Sequence, residues 1–184
     1  MSTSRLHQRL LLIGYRGTGK TTVATHLADK TGSQWIDTDT EIIRLADCSI
    51  EKLFEREGEA GFRDRETSVL RGVLATPCPI IACGGGIVLR EDNRQLLEAV
   101  GTTVWLQASP ETLYARIQQD GQSWEQRPPL TNLTGKDEIK AILNERKALY
   151  HQCATIIVDT ETKTAEQVAE EILKHLQNEA QSEI

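Results

Sequence analysis

The stretch GYRGTGKTT, Gly14 to Thr22, stands between the apolar run Leu10 to Ile13 and the segment VATHLADK, which continues with a helical pattern. It matches the spacing GxxxxGK[ST] through Gly14, Gly19, Lys20 and Thr21. Successive backbone N–H groups can surround a phosphate only where no side chain blocks the approach, which is why glycine is needed. The helix that follows turns its positive end to the same place. In such a loop Lys20 reaches the β and γ phosphates of a nucleotide and the Thr21 hydroxyl coordinates Mg²⁺, while Gly17, Thr18 and Thr22 complete the cradle.

The pattern around this loop is consistent with it. Short apolar runs recur at 10–13 (LLLI), 34–37 (QWID), 79–83 (PIIAC), 102–106 (TTVWL) and 155–159 (TIIVD). Helical stretches fall between them at about 20–30, 39–57, 60–74, 91–99, 109–119, 136–151 and 164–177. This alternation predicts an α/β chain with a parallel sheet covered by helices on both faces. One segment, QQDGQSWEQRPPLTNLTG at 118–135, is polar, has no clear period and carries two glycines and two prolines, which predicts a long functional loop.

Composition narrows the class. The chain has 184 residues, 39% of them hydrophobic and 26% charged, which is enough for one α/β domain with its own core. Its net charge of −6 argues against a nonspecific nucleic-acid binder, so any anionic ligand must be held by locally placed cations. The four cysteines, Cys48, Cys78, Cys83 and Cys153, show neither CxxC nor zinc spacing, which predicts free thiols in a reducing, cytoplasmic setting. No apolar run approaches the length of a membrane span, and MSTSRLHQR is expected to be a frayed arm rather than a secretory signal.

A phosphate loop alone does not choose between a switch GTPase, a motor ATPase and a small-molecule kinase. No NKxD guanine-reading motif is present. The PIIAC run ends in Gly84-Gly85-Gly86 where a motor would usually place an acid, and Asp159 in IIVDT lies on the last strand, where it suits a turn or cap. The kinase reading draws on other residues. WIDTDTEI puts Asp37 and Asp39 at the carboxyl end of the second strand, the sheet edge at which ligands bind. Asp37 can hold Mg²⁺ through water and Asp39 can accept the proton of an attacking hydroxyl. Equally, either can cap a helix, and Thr38 with Glu41 can form a capping box.

Arg146 falls inside the apolar stripe Ile139, Ile142, Leu143 and Tyr150, and an inward guanidinium needs an anion, unless it snorkels outward or meets a structural carboxylate. Arg63 borders the core face made by Phe62, Val69, Leu70 and Val73, where Glu66 can brace it. Together Arg63 and Arg146 suit a carboxylate clamp. The glycines 84–86 suit close backbone approach to a ligand. Arg127, in the polar loop, can swing over a transferred phosphate and exclude water. Trp35 and Trp105 are expected to pack on strands, and Trp124 has no evident role.

The series GYRGTGKTT, DTD, GEAGFRDRE, CGGG, RPPL and ERKALY, in that order across nearly the whole chain, resembles the shikimate kinase family. The resemblance implies a three-layer P-loop NTPase fold related to nucleoside monophosphate kinases, with a five-stranded parallel sheet in the order 2-3-1-4-5. It implies transfer of the ATP γ-phosphoryl group to the 3-hydroxyl of shikimate, with Mg²⁺. It also implies one domain spanning 1–184, with substrate-binding helices at about 39–74 and a lid at about 118–135. Asp39 is then the residue holding the substrate hydroxyls, Arg63, Arg146 and the glycines 84–86 line the same pocket, and Arg127 is the lid arginine. Thr21 and Asp37 are the Mg²⁺ partners, and Arg116 in LYARI stacks on adenine. A monomer acting on small molecules, with no nucleic acid or membrane partner, is the expectation. The rivals are a related kinase of another hydroxy acid such as gluconate or of a nucleotide, and a nucleotide-binding regulator without catalysis.

Overall fold

The computed structural model describes residues 6, 8–120 and 135–182. Five strands, β1 Leu10–Ile13, β2 Trp35–Asp37, β3 Ile80–Ala82, β4 Thr102–Gln107 and β5 Ile156–Asp159, form one sheet in the order β2-β3-β1-β4-β5. Every pairing is parallel, with Leu10 beside both Ile80 and Thr102, Trp35 beside Ile80, and Val104 beside Ile156. The predicted strand order is therefore the observed one.

Because a strand sends successive side chains to opposite faces, the fully buried β1 splits between two cores. Leu11 and Ile13 join Ile81, Cys83 and Trp105 against one set of helices: α2 Thr38–Ala46, α3 Ile50–Leu74, α4 Glu91–Ala99 and α6 Gly135–Cys153. Leu10 and Leu12 join Ile80, Ala82, Val104 and Leu106 on the other face, under α1 Lys20–Thr31 and α7 Ala165–Ser182. All four β1 side chains are 0% exposed, and burying each is worth about 2 kcal/mol. That two-sided burial is why the run is apolar without alternation. A third, smaller cluster packs α5, Pro110–Gln119, onto α6 through Leu113, Ile117, Ile139 and Ile142, with Tyr15 from the loop after β1.

One expected helix is observed as two, and α7 runs to Ser182 where a helix ending at about 177 was expected. The predicted helix 39–57 is broken at Asp47, whose left-handed φ of 50° ends α2. Ser49 then caps a new helix by accepting from the Lys52 N–H at 3.3 Å. The expected gap between 57 and 60 is present: Gly58, with φ 67° and ψ −176°, is non-helical and divides α3 into two helical segments. Arg63 therefore lies near the start of the second segment of α3, as expected.

Candidate active site

Parallel strands place their carboxyl ends along one edge, and the register aligns Asp37 with Ala82 and Ala82 with Leu12. The loop after β1, the acidic turn after β2 and the glycine triplet after β3 are thus neighbours. In the first of these, Gly14 has φ 140°, and a Cβ there would lie 2.5 Å from the Leu106 carbonyl oxygen, so only glycine fits. Gly19, also left-handed at φ 87°, is the cap from which α1 starts.

Lys20 folds back over the loop, its ammonium donating to the carbonyls of Gly14 at 2.8 Å and Tyr15 at 2.9 Å. Thr18 is buried, and its hydroxyl donates to the same Tyr15 carbonyl at 2.8 Å, so this side chain shapes the loop from within. Thr21 and Thr22 are exposed at the mouth. The Thr21 hydroxyl donates to Asp37 Oδ2 at 2.8 Å. Asp37 Oδ1 meanwhile accepts from the N–H groups of Asp39 at 2.9 Å and Thr40 at 3.1 Å, capping α2. The cap reading of Asp37 is realised on one carboxylate oxygen, while the other faces the Thr21 hydroxyl.

The capping box open to Thr38 and Glu41 as an alternative does not form. The buried Thr38 hydroxyl accepts from the Gly84 N–H at 2.9 Å, and Glu41 turns to Arg44 with contacts of 2.8 and 2.7 Å. The Asp37 cap makes the box unnecessary and frees Thr38 to tie α2 to the glycine triplet.

Each glycine of that triplet meets a different charged residue. A Cβ on Gly84 would lie 2.5 Å from Asp39 Oδ1 and 3.1 Å from Glu66 Oε1. A Cβ on Gly86 would fall on the Arg63 guanidinium. The Gly85 carbonyl accepts from Arg146 Nη1 at 3.2 Å and from the Tyr150 hydroxyl at 2.5 Å. Arg63, Glu66 and Arg146 are 7%, 1% and 6% exposed. Such burial of charge is tolerated only with partners. Arg63 donates to Glu66 at 2.9 Å, the brace expected at that spacing, and to Glu59 at 3.3 Å. Burial pushes the Tyr150 phenol up to about 12, so it remains a donor at neutral pH. Asp39, Arg63, Arg146 and the three glycines thus form one cluster.

A cleft of about 470 Å³ runs from the phosphate loop past Asp37 and Asp39 to Gly85 and is also lined by Arg116 and Asp120. Arg116, on α5, is fixed there by donating to the Thr160 hydroxyl at 3.0 Å and the Thr160 carbonyl at 2.6 Å. Asp159 accepts from the Glu161 N–H at 2.8 Å, the turn role expected of it. Six cleft residues were not legible beforehand: Arg16, at a position the loop pattern leaves free, Thr40, Ile43, Ile50, Cys83 and Asp120. Burial pushes the Cys83 thiol up, outweighing the nearby Lys20, so it is no nucleophile. Arg127 and Trp124, and with them most of the expected lid at 118–135, lie outside the described residues.

Among the described residues no cluster of three or more His, Cys, Asp or Glu side chains could hold a metal ion. What the mouth of the cleft offers a metal is hard oxygen: the Thr21 hydroxyl and the Asp37 carboxylate. Magnesium is usually bound in this way, by one or two protein oxygens together with substrate phosphates. No helix of the described residues is long and apolar enough to cross a membrane.

Comparison with known proteins gives a consistent family. A family model described as shikimate kinase matches residues 16–177. The chain is 40% identical over 167 residues to a shikimate kinase of Rhodopirellula baltica, covering 91% of this chain and 89% of the relative. Among solved structures, a shikimate kinase from Acinetobacter baumannii in complex with shikimate superposes with a TM-score of 0.87 at 33% identity, covering 94% of each chain. A gluconokinase from Sinorhizobium meliloti has a TM-score of 0.63 at 16% identity, covering 97% of each chain, a likeness of fold alone.

Proposed function

The chain belongs to the shikimate kinase family, and on that premise we propose that it transfers the γ-phosphoryl group of ATP to the 3-hydroxyl of shikimate, releasing ADP and shikimate 3-phosphate. One convergence carries the reading: the acid Asp39 and the buried arginines 63 and 146 all meet Gly84–Gly86, at the same sheet edge as the phosphate loop. A substrate with hydroxyls beside a carboxylate suits that set of partners. A nucleoside monophosphate would need a base pocket as well.

Phosphoryl transfer passes through a loose transition state, so the protein must mostly position reactants and stabilise charge. In our reading the backbone of Gly14, Gly17, Thr18 and Gly19 cradles the phosphates. Lys20 moves its ammonium from the loop carbonyls to the β and γ phosphates, and Thr22 adds a hydroxyl at the mouth. Arg116 lies against adenine. The forks of Arg63 and Arg146 hold the substrate carboxylate, with the glycines 84–86 allowing the ring to come close. Asp39 accepts the proton of the 3-hydroxyl as its oxygen bonds to the γ phosphorus and the bond to ADP breaks. Arg127 closes over the phosphate from the lid. Thr21 and Asp37 would hold Mg²⁺, which when bound neutralises charge on the phosphate oxygens.

We take the chain to work as one domain and as a monomer. Its four free thiols favour a reducing cytoplasm. A coupled assay offering ATP with shikimate, gluconate or AMP tests the assignment. Turnover is expected with shikimate, and turnover with gluconate or AMP alone would replace it.

A further inference from the structure

A second cavity, of about 200 Å³, lies behind the phosphate loop between β4, α5 and α6. It shares no lining residue with the cleft. Its apolar wall includes Trp105, 5% exposed, and Leu113, 0% exposed. Trp105 is held in place by stacking on Tyr150, with ring centroids 5.5 Å apart. Tyr15 supplies a second aromatic wall. From α6 come Lys140, Leu143, Asn144 and Lys147. These fall at i, i+3, i+4 and i+7, on one face of the helix, which sets the two lysines about 10 Å apart along the axis. Both lysines are exposed, and neither is ion-paired among the described residues.

A concave, mostly apolar space with a few polar groups at its rim is the usual form of a small-molecule site, and this cavity is a half-open one of that kind. This one is small enough for a single ring. Its walls are aromatic and its rim cationic, without the arginine forks that favour phosphate. We propose that this cavity binds a small aromatic monocarboxylate, with the ring against Trp105 and Leu113 and the carboxylate between Lys140 and Lys147. Its occupant is felt by the nucleotide site. The Tyr15 carbonyl is the shared acceptor of Thr18 and Lys20, so a ligand pressing on Tyr15 and Thr18 alters the rest position of the catalytic lysine.

The test titrates phenylacetate, and phenylacetamide as its neutral twin, into the full chain while following the Trp105 indole by NMR with a saturating nonhydrolysable ATP analogue present. A saturable shift with the acid is expected, weakened at least about tenfold for the amide and in the K140E/K147E variant. Both substitutions are on exposed positions and leave the fold intact. L143F, which narrows the cavity, should weaken binding without altering surface charge. Equal binding of acid and amide, unchanged affinity in K140E/K147E, or no saturable shift up to about 10 mM would each overturn the proposal.

Discussion

Gly86 and Arg63 share one space: a methyl group on Gly86 would overlap the Arg63 guanidinium. Gly86 itself has an ordinary φ of −98°, so alanine there costs the backbone little. The obstruction is the far end of a flexible side chain, which can move aside. G86A should therefore fold with a loss under about 1 kcal/mol yet displace the guanidinium from its place in the proposed clamp. The KM for shikimate is expected to rise about 10- to 100-fold, the value of a charge-assisted hydrogen bond, with the KM for ATP unchanged. A large drop in melting temperature, or equal effects on both substrates, would show that Gly86 serves packing instead.

Asp39 lies in the first turn of α2, two residues from the cap at Asp37 and against Gly84. Asparagine keeps its size and much of its hydrogen bonding but cannot take up a proton. D39N should lower kcat by about 100-fold or more while ATP binding measured by calorimetry is retained. Loss confined to ATP affinity would move Asp39 out of the role of proton acceptor.

How much of this was legible beforehand depends on the range of the interaction. The GxxxxGK[ST] spacing and the runs at 10–13, 79–83 and 102–106 are local signals, and they led to the observed sheet. The Arg63 and Glu66 pair was visible because i, i+3 neighbours on a helix must meet. The break at Asp47 was missed because Ile42 and Ile50 continue an apolar pattern across it, masking the Ser49 cap. Long-range choices were illegible for a different reason. Whether Thr38 caps its own helix or accepts from Gly84, 46 residues away, depends on β2 lying beside β3, which no local pattern encodes. Arg146 was read as seeking an anion. In the structure it donates to a carbonyl, that of Gly85, which holds the fork beside the triplet.

The Thr21 hydroxyl sits 2.8 Å from one oxygen of Asp37 while the other oxygen caps α2, so two functions can be separated by substitution. Asparagine caps a helix nearly as well as aspartate, whereas alanine does not. D37N should keep its melting temperature and require several-fold more Mg²⁺ for half-maximal activity. D37A should show the same metal defect and also lose about 1 kcal/mol of stability. Unchanged Mg²⁺ dependence in both variants would leave Asp37 as a cap only.

Glu161 ties the turn after β5 to the start of α5. Its carboxylate accepts from the Ser109 N–H and hydroxyl, both at 2.7 Å, and from the Thr112 hydroxyl at 2.5 Å. Ser109 is itself the cap of α5, and Arg116 on that helix reaches back to Thr160, so the strap closes on both sides. These donors favour the ionised form, the Ser109 backbone bond most, and hold the carboxyl below its ordinary 4.5. A carboxylate whose pKa is lower in the folded chain stabilises it fully above the unfolded value, and that gain is lost as pH falls through the folded value. Between about pH 5 and pH 3 the wild type should therefore lose more melting temperature than E161Q, which starts lower because its amide cannot satisfy all three donors. With the strap weakened, E161Q should also raise the KM for ATP several-fold at neutral pH while leaving that for shikimate alone. Parallel acid melting curves for the two proteins, or a defect in shikimate affinity, would show that this contact neither titrates in the fold nor positions α5 for the nucleotide.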